Sequence, residues 1–250
     1  MADPHAFILH LERAVDRRAN AEALAACCGM VSEIWPAVDG GAMNEAECAG
    51  WLAEALFRPR YPHALKPGEL GCFLSHRAMW TEIVARDLPW ALIIEDDAEL
   101  DAGRFAEARS LAADHVGTYG YIQLQDRPPK QTAPTIDQRG DCVLTHPKVT
   151  PLRTTAQMVS RAAATHLLAR SETIDRPVDT FVQSHWHTGL RAAVIHPSGV
   201  GTIPAETTIQ SGRKSLAEKA RRELARARYR AATRRLSARS TAAFHKGAGI

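Results

Sequence analysis

Blocks of apolar residues, separated by polar segments, recur along the chain. The clearest block is the uncharged run 89–94, which ends directly at Glu95, Asp96 and Asp97. A short apolar run that ends abruptly predicts a strand buried on both faces. Because ligands in open α/β sheets bind beyond the carboxyl ends of strands, the three acids are expected at a binding site.

The rest of the chain alternates predicted strands with predicted helices, which is typical of an α/β fold. Further strands are expected at 7–11, 31–35, 119–124, 154–159 and 192–196. Apolar residues at spacings of three and four predict helices between them, most clearly over 68–84. The segment 126–151 holds five prolines and little periodicity, so a lid or binding loop is expected there.

The predicted helix 68–84 carries a second, partly polar face. Glu69, Cys72, His76 and Trp80 recur at spacings of three and four and would share one side. The spacing leaves open whether Glu69 and His76 form a buried pair or line a site. Cys72 and His76 could contact zinc, but no second ligand pair is evident, which disfavours a zinc site.

The acids after the apolar run suggest a metal. If the strand stays extended, Glu95 and Asp97 point to one side and Asp96 to the other. Two carboxylates at alternate positions suit a hard cation such as Mg²⁺ or Mn²⁺. The alternative is that the acids cap a helix or face solvent.

Other residues near strand ends could contact a nucleotide. Arg17 and Arg18 follow the first strand, where a guanidinium could meet phosphate, although both could be solvated on a helix face. Asp39 lies in the glycine-rich turn after the second strand. In nucleotide-binding sheets an Asp at this point often meets a ribose hydroxyl, but it is also a common turn residue.

Charge is distributed unevenly along the chain. The formal net charge is +3, but residues 213–250 carry 12 Lys and Arg against two Glu, a net of +10. Residues 1–212 carry 19 basic and 26 acidic residues, a net of −7. We therefore expect a folded domain over 1–212 and a basic tail over 213–250 that meets something anionic. The tail is rich in Ala, Arg and Leu, which favours helix.

Composition narrows the class of protein. Apolar residues make up 45% of the chain, as in ordinary globular domains, and no apolar run reaches the length of a membrane span. The five cysteines are scattered and form no CxxC pair, which indicates reduced thiols in a cytoplasmic protein.

Several motifs together resemble glycosyltransferase family 25, the bacterial lipopolysaccharide galactosyltransferases related to collagen galactosyltransferases. The resemblance covers about 7–213. Its strongest part is Gly68-Glu69-x-Gly71-Cys72-x-x-Ser75-His76, followed by Leu88-Pro89 and Ile94-Glu95-Asp96-Asp97. Weaker parts are Asp16-Arg17-Arg18, Ala37-Val38-Asp39-Gly40, Ser160-Arg161-x-Ala163, Pro177-Val178-Asp179 and Thr208-Ile209. Where the family tends to have Gly or Ala before Tyr, this chain has Ala156-Gln157.

The resemblance implies an A-type glycosyltransferase fold, with a mixed, mainly parallel sheet flanked by helices. It implies inverting transfer of a hexose, galactose first, from a UDP-sugar to a hydroxyl of a glycan or glycolipid acceptor. Mn²⁺ or Mg²⁺ would be held by Glu95 and Asp97. The donor would contact residues carried by the matching motifs, namely Arg17, Arg18, Asp39, Ser75 and Asp96.

Inverting transfer needs a general base that takes the proton of the acceptor hydroxyl. Asp179 is favoured because it opens a helix after the long loop, with His76 and Glu69 as further candidates. Asp179 could instead be a helix cap.

Two other functions compete with the transferase. A metal-dependent phosphoesterase would need further ligands, for which His185, His187 and His196 are candidates. A nucleic-acid-binding protein would act through the tail, but only Tyr229 and Phe244 could stack there, so nucleic acid is not the expected partner. We expect the tail to attach reversibly to an anionic membrane surface, on the inner face, with packing of a solvated helix on the acidic body as the alternative.

Overall fold

The computed structural model describes residues 3–203 and 216–241. The strands are β1 (His5–His10), β2 (Ser32–Pro36), β3 (Trp90–Glu95), β4 (Ala98–Leu100), β5 (Tyr121–Leu124), β6 (Thr135–Arg139), β7 (Cys142–Thr145), β8 (Ala156–Ser160), β9 (Ala193–His196) and β10 (Val200–Thr202). The helices are α1 (Arg18–Cys27), α2 (Glu45–Trp51), α3 (Pro67–Ala85), α4 (Ala102–Tyr119), α5 (Arg161–Arg170), α6 (Val178–Gln183), α7 (His185–Thr188) and α8 (Leu216–Arg239). The expected domain boundary after residue 212 and the Thr208-Ile209 motif lie outside the described residues.

Eight strands form one mixed sheet in the order β2-β1-β3-β8-β5-β9-β7-β6. β1 pairs in parallel with β2 and β3, and β5 pairs in parallel with β9. β8 lies antiparallel between β3 and β5, and the β6–β7 hairpin joins the sheet antiparallel to β9. Every strand of this sheet except β7 and β8 therefore runs in one direction. The predicted α/β fold with a mainly parallel sheet is confirmed.

The apolar run that precedes the acids is strand β3, and its residues 91–94 are fully buried. Leu92 and Ile94 belong to a hydrophobic cluster that includes residues of α1 and α4. Ala91 and Ile93 belong to a second cluster, with residues of α3 and α5. Side chains alternate across a strand, so the two clusters cover opposite faces of the sheet. The predicted burial on both faces is confirmed.

The chain does not stay extended through the three acids. β3 ends at Glu95, and Asp96 and Asp97 form a turn that leads into β4. The turn is held because the Asp96 N–H donates to Leu9 O at 3.0 Å and the Asn20 amide donates to Asp96 O at 2.8 Å. The extended arrangement considered from sequence is therefore wrong, and the directions of the three side chains must be taken from their contacts.

The segment 126–151 is not one irregular loop as expected. It contains the β6–β7 hairpin, in which β7 pairs with β9. Cys142 and Leu144 are fully buried in the first hydrophobic cluster, while their neighbours in β7 are only partly covered. This alternation over four residues is too short to stand out among the surrounding prolines.

Helix α3 packs closely on the loop that follows β2. A Cβ added at Gly71 would lie 2.5 Å from Val38 O, and one added at Gly40 would lie 1.8 Å from Pro67 O, so both positions require glycine. The buried Ser75 hydroxyl accepts from Val38 N at 2.8 Å and donates to Gly71 O at 2.7 Å. These contacts fix the helix that carries His76.

The tail is helical over Leu216–Arg239, as predicted, and one side of this helix, α8, packs on the body. The Arg176 guanidinium donates to the Tyr229 hydroxyl at 3.2 Å, and the Tyr229 ring contacts Tyr61 edge-on. At the end of the helix, the Ser240 hydroxyl lies 3.1 Å from Nδ1 of the buried His185. No helix within the described ranges is both long and apolar enough to cross a membrane.

Candidate active site

Glu95, the last residue of β3, is held by two hydrogen bonds. His76 Nε2 lies 2.9 Å from Glu95 Oε1, and the Thr154 hydroxyl donates to the same oxygen at 2.7 Å. Burial alone raises the pKa of Glu95, but the hydrogen bonds from His76 and Thr154 outweigh it and bring the pKa below its ordinary value. Oε2 receives no hydrogen bond from the described part of the chain, so one oxygen stays available to a ligand.

His76 is itself oriented by a residue that sequence reasoning missed. The Gln157 amide donates to His76 Nδ1 at 3.0 Å, which leaves the ring proton on Nε2 to be donated to Glu95. Both Gln157 and His76 are fully buried. Gln157 stands where the related family tends to have Tyr, and that departure was the only signal in the sequence.

Asp96 is fully engaged within the protein. Its Oδ2 lies 2.8 Å from Nδ1 of His10, a residue that no motif indicated, and its Oδ1 accepts from Arg17 at 2.5 Å. The backbone N–H of Leu11 also points to Oδ2, at 3.4 Å. Arg17 and Asp96, each predicted to contact the donor, therefore bond each other, and Asp96 joins the ends of β1 and β3.

Asp97 differs from its neighbour because one of its oxygens is unused. Oδ1 is buried and has no hydrogen-bond partner in the described residues. Burial, together with the charges of Glu95 and Asp96, raises the pKa of Asp97 to about 6. A partly buried carboxylate among like charges is stabilised by a bound cation, so the residues present fit a divalent metal ion.

Asp179 lies in the first turn of α6 and is not the helix cap, a position that Pro177 occupies. Its carboxylate accepts from Arg153 N at 3.3 Å and from Thr180 N at 2.6 Å. Burial raises the pKa of Asp179 against these hydrogen bonds, and the charge of Glu95 adds to the increase. A raised pKa is typical of a general base that works near neutral pH.

Arg153 is a further residue that the sequence did not indicate. Its backbone has a φ of 85°, a left-handed conformation that costs a non-glycine residue on the order of 1 kcal/mol. This conformation directs its N–H to Asp179, while its guanidinium forms an ion pair with Asp126.

The structure does not bring every predicted residue to the acids. Arg18 forms an exposed ion pair with Glu22 on α1, and Asp39 pairs with Arg13 and caps its own turn. The Ser75 hydroxyl is engaged by the backbone, as described above. Glu69 accepts from Lys66 N at 2.8 Å, where it caps the start of α3 instead of pairing with His76.

Ligand atoms of Cys72, His76 and Glu95 all lie within 4.8 Å of one another. This cluster differs from the predicted pair of Glu95 and Asp97, because it includes two residues of α3 and does not include Asp97. Burial and the charge of Glu95 raise the pKa of the Cys72 thiol well above its ordinary value, which disfavours the thiolate that zinc requires.

The histidines named for a phosphoesterase lie elsewhere. His185 Nε2 donates to Lys148 O at 2.9 Å, and His187 stacks on Phe57 with ring centroids 3.7 Å apart. His196 ends β9, and in the described part of the chain none of the three belongs to a group that could hold a metal.

A cavity of about 1290 Å³ opens next to Asp179. Two residues that bond Asp179, Arg153 and Thr180, line it, and Asp126 and Glu69 supply its carboxylates. One wall is formed by a face of α8, and the others include residues of 61–66, 125–131 and 149–153. The volume exceeds that of a typical site for one small ligand.

The mixed sheet and the acids at the end of β3 are consistent with an A-type glycosyltransferase. The family model of glycosyltransferase family 25 (LPS biosynthesis protein) matches residues 3–182. The chain therefore belongs to glycosyltransferase family 25.

Curated relatives support the same family. The chain is 37% identical over 98 residues to procollagen galactosyltransferase 2 of Mus musculus, covering 38% of this chain and 16% of that protein. It is 37% identical over 100 residues to a glycosyltransferase 25 family member of Drosophila pseudoobscura pseudoobscura, covering 39% and 16%. It is also 32% identical over 140 residues to inactive glycosyltransferase 25 family member 3 of Homo sapiens, covering 51% and 23%. The chain thus spans less than a quarter of the length of these relatives.

Proposed function

We propose that the chain is an inverting, metal-dependent glycosyltransferase that moves a hexose from a UDP-sugar to a hydroxyl of a glycan or glycolipid. Galactose is the first candidate sugar because the relatives include procollagen galactosyltransferases. The family model's description points to lipopolysaccharide biosynthesis as the source of the acceptor. The observation that carries the proposal is that Asp97 Oδ1 is buried and has no hydrogen-bond partner among the described residues. The carboxylate of Glu95, two residues earlier, is held in one orientation by His76.

The metal ion would be Mn²⁺ or Mg²⁺, held by Asp97 and Glu95. When bound, it would supply Lewis-acid stabilisation of the charge on the leaving diphosphate. His76 holds Glu95 in one orientation, and Gln157 holds His76. Such supporting hydrogen bonds are common around metal ligands.

The remaining residues would divide between the two substrates. Arg17 lies beside the acids and could contact the donor diphosphate, although Asp96 partly neutralises it. Asp179 would accept the proton of the acceptor hydroxyl, since its pKa is raised and two cavity-lining residues bond it. Inversion requires that this base act on the face of the sugar opposite the diphosphate.

The location proposed for the protein is cytoplasmic, with reversible attachment to the inner face of a membrane. Attachment would use arginines of α8 outside the cavity, namely Arg228, Arg235 and Arg239. Co-sedimentation with anionic liposomes at low salt measures this contact. Equal sedimentation after replacement of these arginines with glutamine would rule it out.

Binding and turnover of nucleotide sugars test the function. Thermal unfolding is measured with UDP, UDP-galactose and UDP-glucose, each with and without Mn²⁺, and release of UDP is measured in parallel. We expect stabilisation by UDP only in the presence of Mn²⁺, because bound ligand stabilises the folded state by mass action. GDP and CMP serve as control nucleotides.

Absence of both UDP binding and UDP release with either metal would contradict the transferase. Hydrolysis of a simple phosphoester under the same conditions would favour the phosphoesterase instead. Salt-sensitive retention of nucleic acid would favour the third function, although Tyr229 is packed on the body and poorly placed to stack on a base.

A further inference from the structure

The cavity beside Asp179 is strongly cationic although the body of the protein is acidic. Its lining includes nine Lys and Arg side chains and two carboxylates, a difference of +7. The carboxylate of Asp126 is already paired with Arg153. Clustered charge of one sign in a concave site attracts ligands of the opposite sign, so the cavity suits an anion.

Most of this positive charge comes from one face of α8. The helix contributes five arginines to the lining, which we call the cavity-facing arginines: Arg221, Arg222, Arg226, Arg230 and Arg234. Residues four apart lie on one side of a helix, so Arg222, Arg226 and Arg230 form a single row. Other arginines of the same helix do not line the cavity.

Specific contacts set which face of α8 points inward. Tyr229 lies beside the row and is fixed by Arg176 and Tyr61. Thr233 and Ser237, one and two turns further on, are buried against the body. The contacts of Tyr229, Thr233 and Ser237 therefore hold this face of α8 at the cavity.

The positive charge is only partly neutralised within the helix. Glu223 pairs with Arg226 at 2.7 Å and approaches Arg230 at 3.9 Å. All three side chains are more than half exposed, and ion pairs of this kind are weak. The positive charge also acts on His63, another residue of the lining. Burial lowers the pKa of His63, and the charges of Arg226 and Arg222 lower it further.

We propose that the cavity-facing arginines bind an oxyanion, a phosphate or a carboxylate, carried by the acceptor substrate. The inference rests on the proposed transferase, because the acceptor is defined by that reaction. Arginine is well suited to this role, since its planar guanidinium can donate two parallel hydrogen bonds to either oxyanion.

The position of the cavity favours the acceptor over the donor. The acids at 95–97 and Arg17 are not part of its lining. Asp179 does not line it either, but both residues that bond the Asp179 carboxylate, Arg153 and Thr180, do. A group bound by α8 would therefore place a neighbouring hydroxyl near the base. The charge of the donor diphosphate would be met separately, by the metal and Arg17.

Isothermal titration of the full chain tests the proposal. The probes for the cavity are a hexose phosphate, a hexuronate and the neutral hexose, and UDP with Mn²⁺ probes the donor site. The double variant Arg226→Gln/Arg230→Gln should weaken binding of both anionic sugars by about tenfold or more, because it removes two charged donors. UDP affinity should stay as in the wild type.

The double variant Arg228→Gln/Arg235→Gln is the matched control. It removes two charges from the same helix but outside the cavity lining, so every probe should bind as in the wild type. An equal loss in both variants would overturn the proposal, since only net charge would then matter.

Two further outcomes would also overturn it. One is a wild-type protein that does not bind the anionic sugars better than the neutral hexose. The other is that Arg226→Gln/Arg230→Gln loses affinity for UDP and not for the anionic sugars, which would assign these arginines to the donor site. Failure of the transferase itself is distinguishable, because anionic sugars would still bind through Arg226 and Arg230 while UDP did not bind at all.

Discussion

The acids at the end of β3 and the cavity-facing arginines of α8 are held in place in different ways. Residues 95–97 follow a strand that is fully buried between two hydrophobic clusters. Helix α8 touches the body along one side, mainly through Tyr229, Thr233 and Ser237. Close packing fixes a central strand, whereas a surface helix with few contacts can open locally at a lower free energy.

This difference suggests that the acids carry out the chemistry and that α8 recognises charge. A site for chemistry needs groups held within a fraction of an ångström, which the packed strand provides. A wall that recognises charge tolerates more movement, because electrostatic attraction extends over several ångströms. Substitutions at the acids should therefore change turnover, and substitutions on α8 should change binding or the attachment of the helix.

The largest expected effect is at Asp97. Asp97→Asn should lower turnover about 100-fold or more, because a neutral amide is a poor ligand for the metal that stabilises the leaving group. The melting temperature should not fall, since Oδ1 has no partner in the described chain that would be lost. UDP release and thermal unfolding measure the two effects.

Asp96→Asn is the matched control for that experiment. Asp96 is bonded by His10 and Arg17, so removal of its charge should cost about 2–4 kcal/mol of unfolding free energy. A reversed pattern, with normal turnover in Asp97→Asn, would end the metal hypothesis and remove the proposed contrast between the two carboxylates.

A smaller effect is expected at His76, which is fully buried and contacts Glu95. His76→Gln should lower turnover about 10- to 100-fold and raise the Mn²⁺ concentration needed for half activation, because Glu95 loses its orientation. Titration of activity with Mn²⁺ measures both quantities. A purely structural role would lower the melting temperature and leave the Mn²⁺ requirement of the folded fraction unchanged.

The smallest effect concerns the attachment of α8. His185 is fully buried beneath Ser240 at the end of the helix, and burial lowers its pKa below the ordinary value of 6.5. As the pH falls through 6.5, His185 takes up a proton in the unfolded chain but stays neutral in the folded protein. Stability contributed by neutral His185 is therefore lost between 6.5 and its lower folded pKa.

Thermal unfolding between about pH 7.5 and about pH 5.5 tests this expectation. The wild type should lose more stability over this range than His185→Gln, whose side chain does not titrate. Equal slopes in the two proteins would mean that protonation of His185 does not weaken the packing beneath α8.

Several local features were predictable from the sequence. The run 91–94 is buried and apolar on both faces, as expected. Ser160 is of a residue type favoured at helix N-caps, and it caps α5 by accepting from Ala163 N. The turn at Asp96 and Asp97 was not predictable, because it depends on backbone and amide groups of β1 and α1 that are distant in sequence.

The sequence by itself determined the type of most main elements outside 126–151, the place of three acids after a buried strand, and the helical, basic nature of the tail over 216–239. Only the tertiary structure decided that His76 meets Glu95, 19 residues away, and that His10 meets Asp96, 86 residues away. It also decided which arginines of α8 face the cavity. Periodicity and propensity act over a few neighbouring residues, whereas these contacts depend on how distant segments pack together.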